Sequence, residues 1–247
     1  VVNNNWRLIL FFIGIFTILL AILIMLFLKD KPKNVLNKVS FISKQVSVKD
    51  VLLKLIKNKQ VILIVLTAGI GYVSIPILGA YWGVTFLETK GISKTAASTI
   101  VSFICIGYAI GCPIIGKCSD LIKRRKPFLI CGLTLGCIST FALLAIHFIN
   151  IYYLSFVFFI IGISGSSLTL TFPLVTEHSG QESKGIAMGM NNTVVMGMGA
   201  IVPPICTFLI QHSAKNHSTT SVLNYLEKDF LIGLSVMPFL FLLALLI

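Results

Sequence analysis

The sequence predicts an all-α polytopic membrane protein with about seven transmembrane helices, and three observations lead there. More than half of the 247 residues are apolar, 56%, and only 11% are charged. Several apolar runs approach or exceed the roughly 20 residues that a helix needs to cross about 30 Å of hydrocarbon. These runs are apolar on every face, whereas a helix on a soluble core keeps a polar stripe. Transmembrane β-strands would instead alternate apolar and polar residues in short segments. The third observation is that Lys and Arg gather in alternate loops, as they do in loops kept on the cytoplasmic side.

The formal charge of +12 points to nucleic acid only when it forms a patch on a soluble surface. Here it sits at the edges of apolar runs, so the expected partner is the lipid bilayer and no nucleic acid. The six cysteines, Cys105, Cys112, Cys118, Cys131, Cys137 and Cys206, form no C-x-x-C pair, and most lie inside apolar runs. They read as small packing residues rather than as a disulfide or metal framework. No catalytic, metal or cofactor site is expected.

The first span is Trp6 to Leu28, with Trp6 and Arg7 as interfacial anchors. It is too long for a signal-peptide core and no small-residue cleavage site follows. The chain begins without Met and ends at Ile247 inside an apolar run, so it reads as a fragment. A basic linker follows, residues 29–60, in which Val48, Val51, Leu52, Leu55 and Ile56 recur at helical spacing behind Ser47 and Asp50, a capping-box pattern. It is either a short amphipathic helix lying on the cytoplasmic leaflet or a solvated linker that sets orientation.

The second span, Val61 to Leu87, is interrupted by Gly69, Gly71, Pro76, Gly79 and Gly83. A helix broken this way survives in a membrane only where neighbours or a wet cavity satisfy its freed backbone groups. Tyr72, Pro76, Gly79 and Gly83 fall on one stripe; Tyr81 and Trp82 suit an aromatic belt. The third span, Thr95 to Gly116, carries Gly107-x-x-x-Gly111 behind Ser93 as N-cap, and the fourth, Phe128 to Phe148, carries Gly132-x-x-x-Gly136. Both patterns allow helices to approach closely. The fifth span, Ile151 to Leu174, is small and hydroxyl-rich in its second half, from Ser164 through Ser166, Ser167, Thr169 and Thr171. Such a cluster either lines water or holds helices together. The loop Val175 to Lys184 holds Glu177, His178 and Glu182, spaced as a solvated loop rather than a metal site. The sixth span, Gly185 to Ile210, contains Asn191, Asn192 and the pair Pro203-Pro204. Two amides in hydrocarbon need partners, either another helix or a substrate. Asn216-His217-Ser218 is a glycosylation sequon in the next loop, and Phe230 to Ile247 is the seventh span.

Gly116-Lys117-Cys118-Ser119-Asp120-Leu121-Ile122-Lys123-Arg124-Arg125 joins the third and fourth spans. It resembles the loop pattern G-x-x-x-D-x-x-G-R-[RK] of the major facilitator superfamily. Gly116, Asp120, Arg124 and Arg125 fall in register, while Lys123 stands where the family usually has a glycine. The resemblance implies two six-helix halves joined by a long basic cytoplasmic loop. Residues 1–28 then correspond to the last helix of the first half, 29–60 to the central loop, and 61–247 to the second half, its last helix truncated. The partners it implies are a small-molecule substrate and the missing N-terminal half of the same chain. The run Ser183 to Gly189, followed by Asn191 or Asn192 and Gly199, is similar to the penultimate helix of nutrient-uptake members. Substrate in such proteins sits near the midplane between halves that rock against each other; by that analogy Tyr72, Ser166, Thr169, Asn191 and Asn192 line the cavity. The hairpin set Gly116, Asp120, Lys123, Arg124 and Arg125 becomes a conformational gate. Its acid meets a helix N-terminus of the other half when the cytoplasmic side is closed.

The function expected is secondary active or facilitative transport of a small solute, such as an amino acid, in a cell membrane (the inner membrane, in a bacterium). The alternatives are a seven-helix receptor, on helix count, and an intramembrane enzyme. The latter would need a reactive set such as H-E-x-x-H or a buried acid pair, and His147 is alone near a helix end.

Overall fold

The computed structural model describes residues 6–28, 47–145, 150–180, 183–216 and 225–246. Linker residues 29–46, His147, Glu182 and the His217-Ser218 part of the sequon lie outside them. Among the described residues the structure is helical throughout, and seven helices are long and apolar enough to cross a membrane. The chain forms two compact units, Val1–Ser47 and Val48–Ile247. The first contains α1, Trp6–Phe27, an apolar helix without an acid in its first turn or a base in its last.

The second unit begins with α2, Val48–Lys57, which keeps Asp50 in its first turn and Lys54 and Lys57 in its last, matching the helix dipole. Its apolar residues are divided. Val51 and Leu55 are buried against Val61, Val65, Val175 and Ala187, whereas Val48, Leu53 and Ile56 are exposed. The amphipathic helix expected on the leaflet therefore packs one side on the bundle. Asn58 ends it and starts the next helix: its Oδ1 accepts from the Gln60 N–H at 3.0 Å, and its Nδ2 donates to the His178 carbonyl at 3.2 Å.

The broken second span is α3, Lys59–Tyr72, one turn at Ser74–Pro76, a π-turn at Ile77–Tyr81, and α4, Gly83–Thr89. The Trp82 N–H reaches the Ile77 carbonyl at 2.8 Å, closing the wide turn. This bond pattern inserts one residue into the helical register. The predicted stripe is consequently split: Tyr72 and Pro76 are half-buried, Gly79 is exposed, and Gly83 is buried. A Cβ at Gly83 would stand 2.0 Å from the Leu78 carbonyl oxygen, so the turn requires glycine there. Trp82 departs from the expected belt role. Its Nε1–H donates to Thr207 Oγ1 at 2.9 Å, and its ring packs edge-on against Tyr225 and Phe230. Tyr81 is exposed.

Helix α5, Lys94–Ile122, starts at the Ser93 cap. After the hairpin comes α6, Lys126–Ala145, then α7, Ile151–Ser166, capped by Asn150. A 3-10 turn at Ser167–Leu170 leads into α8, Thr171–Glu177. The last helices are α9, Lys184–Lys215, α10, Glu227–Leu234, and α11, Val236–Leu246.

Lipid tails are as apolar as leucine, so close packing and hydrogen bonds hold such helices together. Helix α7 is flanked by both glycine pairs. A Cβ at Gly107 would lie 2.1 Å from the Phe159 carbonyl oxygen, and one at Gly132 would lie 2.3 Å from Ser167 Cβ. On α7 itself, a Cβ at Gly162 would lie 2.2 Å from the Ile104 carbonyl oxygen. The largest buried cluster joins α4, α5, α7, α9 and α10 through Phe86, Ile100, Phe158, Ile210 and Phe230.

Candidate functional site

The hairpin between α5 and α6 is built by an unusual helix end. Lys123 takes φ 55 and ψ 28, the left-handed conformation, and is the one non-glycine residue with positive φ among those described. Helices commonly stop with glycine in this conformation, because a Cβ strains it. The family-like pattern of the loop has glycine here, so the backbone keeps a glycine geometry while the side chain is lysine. Ser119 Oγ donates to the Arg124 carbonyl at 3.5 Å across the turn.

Asp120 lies in the last turn of α5, where the negative end of the helix dipole disfavours a carboxylate. Its side chain is 72% exposed. The compensating charge is Arg125, whose Nη1 donates to Asp120 Oδ1 at 3.4 Å and whose Nε donates to Glu177 Oε1 at 2.8 Å. Glu177 belongs to α8, because the fifth span stays helical three residues beyond the predicted Leu174. The acid expected in a solvated loop thus anchors the hairpin to another helix. Arg125 is half-buried, Arg124 and Lys123 are exposed, and Gly116 has no atom within 4 Å of where a Cβ would stand. A cavity of about 850 Å³ is lined by Asp120, Lys123, Arg124, Arg125 and Glu177 among others.

The five cavity candidates differ in their local settings. Ser166 is buried against Gly111 and donates to the Ile163 carbonyl at 2.6 Å. Thr169, half-buried, donates to the Ser166 carbonyl at 2.8 Å. Tyr72 lies beside α9, where a Cβ at Gly199 would meet its ring at 2.8 Å. Asn191 is fully buried, and its Nδ2 donates to Thr171 Oγ1 at 3.0 Å. Its Oδ1 has no partner among the described residues, nor does the buried Ser74 Oγ. Asn192 is exposed, because successive helical residues diverge by about 100°. The hydroxyl cluster itself works between and within helices: Ser164 Oγ donates to the Gly132 carbonyl at 2.7 Å, and Ser167 and Thr171 return to carbonyls of their own chain segment.

The opposite end of the bundle holds ionisable groups where α4 ends and α10 begins. The side chain of Lys90, 3% exposed, pairs with Glu227 and sits 5.2 Å above the Phe86 ring. Asp229 is fully buried and accepts from Ser213 Oγ at 2.5 Å and from the Leu226 N–H at 2.8 Å. Together with the Trp82–Thr207 bond, these contacts tie α4, α9 and α10 together.

The family model described as Major Facilitator Superfamily matches residues 1–204 and, in a second overlapping match, residues 73–246. No curated protein matches the chain. The matched family is one of multi-pass membrane transporters and not of enzymes.

Proposed function

Because this chain belongs to the major facilitator superfamily, we propose that residues 61–247 act as one half of a two-half transporter for a small organic solute, with α1 as the last helix of the other half. The solute class is that of nutrients such as amino acids, taken up across a cell membrane by alternating access. The hairpin end is cytoplasmic on its Lys and Arg content. Asn192, which is exposed, and Tyr72, half-buried beside Gly199 of α9, serve as substrate contacts. Asn191 holds α9 to α8.

One observation carries this reading. Arg125 grips Asp120 and Glu177 at once, which makes the hairpin and the end of α8 a single charged unit at the membrane edge. That arrangement suits a gate better than a simple topogenic loop, which needs bases but no matched acids. The test is uptake of labelled amino acids, sugars and organic anions by cells expressing the full-length protein. Saturable uptake of one class, weakened in Asn192→Ala, is the expected result. Ligand-evoked signalling without flux would favour the receptor alternative, and turnover of a solute into product would favour the intramembrane enzyme.

A further inference from the structure

Beside the hairpin, positive charge exceeds what the neighbouring acids can match. The cavity of about 850 Å³ has two carboxylates in its wall, Asp120 and Glu177, and both are engaged by the single guanidinium of Arg125. Lys123, Arg124 and Lys126 stand in the same wall and are exposed. Among the described residues no ion pair reaches them. Helix α6 also begins in this wall, at Lys126, and brings its positive end.

Apart from Ser119, the remaining wall is apolar, made by Pro127, Ile130 and Leu174. Ile130 and Leu174 line the cavity and, with Lys126, are shared with a second cavity of about 410 Å³, mostly apolar through Leu63, Leu129 and Leu133, with Gln60, Thr67 and His178 also in its wall. Ile130 and Leu174 belong to membrane-spanning helices. The site therefore runs from a basic rim in the loop to an apolar slot between spans. A soluble anion uses the rim alone. A ligand with a phosphate at one end and a hydrocarbon chain at the other uses both, and basic pockets between spans suit anionic head groups.

We propose that this cavity binds an anionic glycerophospholipid. Its phosphate meets Lys123, Arg124 and Lys126, and one acyl chain passes over Ile130 and Leu174 toward the second cavity. The phosphate is chemistry shared with soluble anions; the apolar wall selects the lipid. Such a lipid sits next to Asp120 and Arg125 and stiffens the hairpin in the conformer that holds it. The inference is independent of the solute proposed above, since lipid binding is read without transport.

Native mass spectrometry of the full-length protein in detergent tests it, with phosphatidylglycerol, phosphatidylcholine and inorganic phosphate as probes. Phosphatidylglycerol should be retained in preference to phosphatidylcholine. Replacing the three cations (Lys123→Gln, Arg124→Gln, Lys126→Gln) should weaken that binding roughly a hundredfold, about fivefold for each cation. Ile130→Trp fills the slot while keeping every charge, and it too should lower phosphatidylglycerol binding. Undiminished binding in either the triple variant or Ile130→Trp overturns the proposal, as does equal retention of phosphatidylcholine. Displacement of the lipid by millimolar inorganic phosphate would show a free-anion site instead.

Discussion

Lys123 shows how one residue can carry a geometry that its type resists. The hairpin needs a left-handed residue after Ile122, and the chain supplies lysine at φ 55. An L side chain in this conformation costs roughly 1–2 kcal/mol, part of which glycine recovers despite its larger loss of chain entropy. Lys123→Gly should therefore raise the apparent melting temperature in detergent, by about 1 kcal/mol of stability. Lys123→Ala removes the same charge without freeing the backbone and should not. Equal effects of the two variants would assign the change to charge. At this scale the sequence was partly legible. Gly116, Asp120, Arg124 and Arg125 could be picked out from their register with the family's loop pattern. The partner Glu177 could not, because its role depends on three further residues staying helical and on Arg125 reaching across 52 positions of chain.

Between elements, α7 carries the packing of the bundle's middle, and the glycines around it make a graded set. Gly107→Ala and Gly162→Ala place a methyl about 2 Å from a backbone oxygen of the facing helix, which a flexible side chain cannot relieve. Each should destabilise by about 1–3 kcal/mol, the usual range for overpacking. Gly116→Ala meets open space and should leave stability unchanged, as read by thermal unfolding in detergent. A large loss at Gly116 would mean that the hairpin end packs more tightly than described. The G-x-x-x-G pairs were legible because close approach needs only a missing Cβ on one face. The hydroxyls were ambiguous, because a serine facing water and a serine bonded to the carbonyl of Gly132 have the same sequence. The π-turn was illegible for a related reason: one extra residue rotates everything after it, and Trp82 thereby turned from the expected belt into the cluster with Tyr225 and Phe230.

For the whole molecule, hydropathy summed over some twenty residues made the seven spans readable, since burial in lipid acts on entire helices. Conformational coupling is not a property of composition, and the gate proposed at Asp120 belongs to this scale. Surface ion pairs contribute about 0–1 kcal/mol, so its contact with Arg125 alone does little for stability. Its position does more: a carboxylate at the C-terminal end of α5 is misplaced with respect to that helix and well placed to meet the N-terminus of another. In the gate proposed here that second helix belongs to the other half and is met only when the cytoplasmic side is closed. A contact made in one conformer biases a two-state equilibrium without changing overall stability. If it contributes about 1–2 kcal/mol, its loss shifts the conformer ratio roughly 5–30-fold. Asp120→Asn in the full-length protein should therefore express and insert normally, transport more slowly, and populate the conformer open to the cytoplasm. Cysteine accessibility from each side of the membrane measures the shift directly. Glu177→Gln provides the contrast, since it frees Arg125 from α8 while leaving the carboxylate of Asp120 in place; it should loosen the hairpin and affect transport less. Wild-type transport with unchanged accessibility in Asp120→Asn would leave the hairpin with a topogenic role alone.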